Sequence, residues 1–153
     1  MWAACNKKKG ECEMAQEQKT LVVEATMENL QTVMDFVENQ LLQEECPAKV
    51  TGQILVSLEE LYVNVVNYAY DDVGECQIIT DIQPCEGGKR LTMTIRDSGK
   101  PFNPLEKEDP DITLSADERQ IGGLGIYMVK KSMDEVTYDY CDGTNNLTIC
   151  KKW

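Results

Sequence analysis

The chain has 153 residues, enough for a single domain whose core holds together without metal or disulfide staples. At 42% hydrophobic and 27% charged it has the composition of a soluble globular protein, and its net charge of −12 argues against binding to a nucleic-acid backbone while suiting a basic protein partner or none. No apolar stretch approaches the ~20 residues of a membrane helix, and the lack of any histidine removes histidine-dependent nucleophiles, histidine metal sites and phosphohistidine chemistry within this polypeptide.

Residues 1–18 are polar and without periodicity, which predicts a poorly ordered tail ahead of a single domain over 19–153, with Met14 a candidate start. Trp2-Ala3-Ala4-Cys5 has too few residues before it to form an apolar signal core. Leu21-Val22-Val23 marks a strand over 19–25, and Met27, Leu30, Val33, Met34, Val37 and Leu41 then form a helical stripe. Pro47 opens a second helix that runs to about Tyr70, where Asp71-Asp72-Val73-Gly74 ends it. Cys76, Ile78 and Ile82 share one strand face, Leu91, Met93 and Ile95 share another, and a hairpin is expected through residues 84–88. Residues 100–121 carry three prolines, many acids and no period, as a long functional loop or lid does. Residues 122–133 read as a glycine-led helix. Val136, Tyr138 and Tyr140 alternate on a strand, Asp142-Gly143 with Asn145-Asn146 supplies turn chemistry, and residues 147–150 return as a strand. The expected fold is a two-layer α/β sandwich, a mixed and mainly antiparallel sheet with helices on one face.

Seven dispersed cysteines, odd in number and without a Cys-x-x-Cys pair, indicate neither a disulfide framework nor a zinc site; reduced thiols in a cytoplasm fit best. The second helix is apolar nearly all round over 54–69. Apart from Glu59, its polar residues are Ser57, Glu60, Asn64 and Asn67, whose spacings of three, four and three put them on one ridge. Such groups are seldom buried unpaired, so the ridge is either satisfied internally or lines a cavity for a ligand or ion. Asp97-Ser98-Gly99 is common turn chemistry, and Gly122-Gly123-Leu124-Gly125 serves equally as a helix-starting hinge or as a phosphate cradle. The combination and order of the three segments suggest a nucleotide site.

These residues resemble the anti-sigma factor serine kinases of bacterial stress-response and sporulation switches, within the GHKL ATPase superfamily that also holds DNA gyrase and histidine kinases. The likeness runs over 19–152 and rests on three boxes. The first is Ser57-Leu58-Glu59-Glu60-Leu61-Tyr62-Val63-Asn64, the second Asp97-Ser98-Gly99-Lys100-Pro101-Phe102-Asn103-Pro104. The third is Ile121-Gly122-Gly123-Leu124-Gly125-Ile126-Tyr127-Met128-Val129, followed by Met133-Asp134-Glu135-Val136.

The resemblance implies the histidine kinase-like ATPase (Bergerat) fold and a site for ATP and Mg²⁺. In it Asn64 holds the metal against the triphosphate and Glu60, one turn away, is the general base, its pKa raised by partial burial. Asp97 accepts a hydrogen bond from the adenine amino group, with Gly99 allowing close backbone approach. Gly122, Gly123, Leu124 and Gly125 face the phosphates, and Thr148 on the last strand supports the adenine-binding carboxylate. Lys100 and Arg119 read as solvated surface charges, with lid cations as the alternative. Pro101 stands where the wider superfamily has glycine, as in this kinase branch.

The implied function is a protein serine/threonine kinase that phosphorylates a small antagonist protein, and in that family the kinase holds either a sigma factor or its unphosphorylated antagonist. Family members commonly dimerise, which makes a homodimer an open expectation. The alternatives are a nucleotide-gated binding module without phosphotransfer, or a catalytic subunit acting on a histidine of another chain.

Overall fold

The computed structural model describes residues 17–106 and 124–153. One five-stranded sheet carries three helices on one face. Its strands are β1 (Lys19–Glu24), β2 (Glu75–Cys85), β3 (Gly88–Asp97), β4 (Glu135–Cys141) and β5 (Thr144–Lys152), in the spatial order β1-β2-β3-β5-β4. Every described pairing is antiparallel, so the sheet is not mixed as expected: hairpins join β2 to β3 and β4 to β5, β2 returns antiparallel beside β1, and β5 lies between β3 and β4, antiparallel to both.

The helices are α1 (Leu30–Gln43), entered through a 3₁₀ turn at Met27–Asn29, α2 (Ala48–Tyr68) and α3 (Leu124–Ser132), with α2 packed against both α1 and α3. Pro47 stands immediately before α2, where its fixed φ starts a helix without losing a needed donor. The expected helical stripe supplies Val33, Val37 and Leu41 to the core. They meet Ile54, Leu58, Leu61 and Tyr62 of α2 and, from the sheet, Ile78, Leu91, Met93, Ile95 and Ile149. Tyr62 is fully buried; its hydroxyl donates to Thr26 O at 2.7 Å and accepts from Thr26 N at 3.2 Å, tying α2 to the chain leaving β1.

Four local expectations are corrected. The β2–β3 turn is tighter than 84–88: Pro84 already pairs with Lys89, and Glu86-Gly87 makes the reversal with Gly87 at φ 86°. In the β4–β5 hairpin only Asp142 (φ 52°) and Gly143 (φ 77°) turn, two consecutive left-handed residues that match strand twist, while Asn145 and Asn146 belong to β5. The helix α2 is buried on one side only, since Val56 and Tyr68 are each 57% exposed; the sheet can cover one face of a helix and no second layer lies above it among the described residues. It also stops at Tyr68, short of Tyr70. Residues 1–16 of the expected tail and most of the expected lid lie outside the described residues.

Candidate nucleotide site

The site begins with Asp97, the last residue of the central strand β3, which stands opposite Cys76 of β2 and Asn145 of β5. Alternation along β3 turns Leu91, Met93, Ile95 and Asp97 to the helical face, so the strand pattern that buries the core also buries a carboxylate, 7% exposed. Its Oδ1 accepts from Gly99 N and from Asn145 Nδ2, both at 2.9 Å. Oδ2 receives no donor among the described residues, although Asp97 lines a pocket. The negative charge is felt by its neighbours. Burial, with Asp97 adding to it, pushes the Cys76 thiol up from its ordinary 9.0 to about 12. Burial first and Asp97 after it also raise the Tyr70 and Tyr138 hydroxyls.

The loop after Asp97 is clamped to the end of α2. Ser98 N donates to the Tyr70 hydroxyl at 2.8 Å and Lys100 N to Ala69 O at 2.9 Å. A Cβ on Gly99 would overlap the Ala69 carbonyl, which is why glycine is required there. Leu61, Asn64, Val65 and Tyr68, spaced as one helical stripe, form the opposite wall of the pocket, and Phe102 closes its mouth against Tyr68 with ring centroids 6.1 Å apart. The pocket spans about 430 Å³, much of it solvent at the open mouth. Asp97 thus forms the floor and half-buried Asn64 part of the wall.

Glu60 lies one turn before Asn64 and is exposed, so the expected partial burial is not found; no described residue bonds or pairs with its carboxylate. Its near neighbour is Gly125 in the first turn of α3, where a Cβ would overlap Glu60 Oε2. The overlap is with the far end of an exposed side chain, which can swing aside. Leu124 is exposed beside it, and Gly122, Gly123 and Arg119 lie outside the described residues. Lys100 pairs with exposed Asp71 at the pocket mouth.

Thr148 is not at the site. Successive β5 residues face opposite sides of the sheet, and Thr148 lies on the outer one with its hydroxyl 2.8 Å from that of Thr94. The supporting role falls to Asn145 on the inner face, which the sequence reading placed in a turn. Its signal was present: Asn145 has the parity of Leu147 and Ile149, the buried residues of β5.

The donor set fits an adenine nucleotide with a hard cation. Asp97 Oδ2 can accept an exocyclic amino group, and Asn64 offers a neutral oxygen to a metal that otherwise keeps water and phosphate ligands. No cluster of three acidic or cysteine side chains that could cage a metal alone occurs among the described residues. No helix of the described residues is long and apolar enough to cross a membrane.

Known proteins resemble this chain. The chain is 22% identical over 136 residues to the serine/threonine-protein kinase BtrW of Bordetella bronchiseptica, covering 89% of this chain and 94% of that protein. It is 29% identical over 93 residues to the serine-protein kinase RsbW of Bacillus thuringiensis, where the match spans only 56% of the relative. Among solved structures, that of the RsbU and RsbW domains of Rv1364c from Mycobacterium tuberculosis shares the fold, with a TM-score of 0.60 at 14% identity over 90% of this chain and 32% of that one. The family model of the histidine kinase-like ATPase domain matches residues 23–151, and the chain belongs to that family.

Proposed function

We propose that this chain is an ATP- and Mg²⁺-dependent protein serine/threonine kinase that acts on an antagonist protein in a partner-switching pathway. The observation that carries the reading is one pocket with buried Asp97 at its floor, Asn64 on its wall and Glu60 one helical turn beyond. The kinase names of BtrW and RsbW support the reaction class. ATP, when bound, supplies the phosphoryl group. Asp97 holds the base, Asn64 holds the cation, and exposed Glu60 is open to an incoming hydroxyl whose proton it takes. A general base that must meet a side chain of another protein belongs at a surface, which is where Glu60 stands. Gly122 and Gly123 are assigned to phosphate contact, and the antagonist and a sigma factor are the proposed partners. The free thiols of Cys46, Cys76, Cys85 and Cys150 suit a reducing cytoplasm.

Thermal unfolding with Mg²⁺ and ATP tests the site. Nucleotide at about 100 times its dissociation constant stabilises by roughly 2.7 kcal/mol, a rise of several degrees for this size. Asn64→Ala is expected to shrink that rise, and no rise in the wild type at saturating nucleotide defeats the reading. Glu60→Gln is expected to keep the thermal shift and to lose phosphate transfer to a cognate antagonist by a factor of 10² or more. Transfer at the wild-type rate would remove Glu60 from the chemistry.

A further inference from the structure

Asn145 is a buried amide, 6% exposed, with all of its hydrogen-bonding capacity in use. Its Nδ2 donates to Asp97 Oδ1 and to Lys100 O, each at 2.9 Å, with Gly99 O more distant at 3.5 Å. Its Oδ1 accepts from Phe102 N at 3.1 Å and from the Tyr138 hydroxyl. Reversing the amide would set Nδ2 against the Phe102 N–H and Oδ1 against the Lys100 carbonyl, so four neighbours determine its orientation. Asp97 Oδ1 is thereby filled twice, by Gly99 N and by Asn145 Nδ2, and the carboxylate has one oxygen left for the pocket. The same amide binds the backbone on both sides of Pro101, holding Phe102 at the mouth.

We infer that Asn145 is the positioning residue that sets base selectivity here: by occupying Asp97 Oδ1 it aims Oδ2 at the 6-amino group of a purine. This rests on the nucleotide reading above. A carboxylate oxygen aimed in this way accepts from a 6-amino group, meets no donor on a 6-unsubstituted purine and repels a 6-oxo group. Without the amide donor the Asp97 carboxyl can turn, and the loop carrying Phe102 loses two of its anchors. Binding through the phosphates and the metal lies elsewhere in the pocket and does not depend on it. Asn145 therefore acts on the difference between bases more than on affinity as a whole.

The test is the dissociation constants of ATP, GTP and purine riboside triphosphate, which lacks the amino group, measured with Mg²⁺ on the full chain. The wild type is expected to prefer ATP over the desamino nucleotide by about tenfold or more, the scale of one hydrogen bond to a charged group. In Asn145→Ala that ratio is expected to fall to within about threefold, with the desamino nucleotide bound nearly as before. An unchanged ratio, or an equal loss for both nucleotides, overturns the assignment while leaving the site standing. A wild type that binds no ATP overturns both.

Asn145→Asp keeps the shape and gives an independent readout should the alanine variant not fold. Two adjoining carboxyls retain a shared proton at low pH, which restores a donor to Asp97 Oδ1, and lose it as pH rises. The ATP preference of that variant is expected to fall with rising pH over roughly pH 5 to 8, where the wild type stays flat. Tyr70, Cys76 and Tyr138 also face the pair, and each is shifted upward and keeps its proton through that range. Lys100 stands at the exposed mouth, paired with Asp71. A preference in the variant that does not vary with pH counts against the assignment.

Discussion

A carboxylate withdrawn from water must be given partners, and Asp97 finds them in the backbone of its own loop and in one amide across the sheet. This makes the loop geometry exacting. Gly99 lies against the Ala69 carbonyl with no room for a methyl group, whereas a methyl at Gly52, inside α2, would meet nothing within 4 Å. The two glycines are therefore expected to respond oppositely to alanine. Gly99→Ala should destabilise by about 1–3 kcal/mol through overlap with a backbone that cannot yield, and Gly52→Ala should stabilise by roughly 0.5–1 kcal/mol through the better helix former. Chemical denaturation of both variants checks this, and a shift in the same direction would show that the close approach at Gly99 is relaxed in solution. Asp97 and Gly99 were legible because a strand end announces itself locally, and Asn64 because it interrupts the apolar run of α2. Asn145 was not, because Asp142-Gly143 looks like a turn that could extend through two more asparagines, and only the pairing of Cys141 in β4 with Thr144 in β5 ends it at Gly143.

Among the elements, α2 does the most. One stripe of it enters the core through Ile54, Leu58, Leu61 and Tyr62, a second stripe lines the pocket, and its exposed side carries Val56 and Glu60. Its position relative to the sheet is registered by Tyr62, whose hydroxyl satisfies both the N–H and the carbonyl of Thr26. Tyr62→Phe removes that link without opening a cavity, while Thr26 N keeps its bond to Glu24 O and Thr26 O the one from Asn29 N. A loss of about 0.5–1.5 kcal/mol is expected from the urea midpoint; a loss below ~0.3 kcal/mol would mean that the remaining bonds and water make up for the hydroxyl. The helix α3 has a neighbour at each end. Gly125 lies beside Glu60, and Lys151 of β5 donates to Ser132 O at 2.7 Å at the carboxyl end, where a cation also favours the helix dipole. Strands and helices of this kind were readable from periods of two and 3.6, and their order along the chain was readable too.

For the whole molecule, the burial of acidic groups predicts how stability responds to alkali. The Cys76 thiol is held near 12 in the folded protein against an ordinary 9.0, so the folded state keeps a proton that the unfolded chain releases. Its contribution is complete below about pH 9 and is lost as pH rises toward 12. Stability measured upward from pH 9 is expected to fall less steeply in Cys76→Ala than in the wild type, by at most about 1.4 kcal/mol per pH unit for one proton. Parallel curves would mean that Cys76 is not shielded as the fold requires. The sequence by itself determined the succession of strands and helices, the single layer of helices on a sheet, and the residues that resemble a nucleotide site, since each is written in a short-range period or a local run. The tertiary structure alone decided that all the described neighbouring strands pair antiparallel, that Glu60 is exposed, that Thr148 faces away and that Asn145 meets Asp97. Those facts depend on strand register and on which face of each element is covered, and both are settled by packing between residues far apart in the chain, such as Asp97 and Asn145, 48 positions apart.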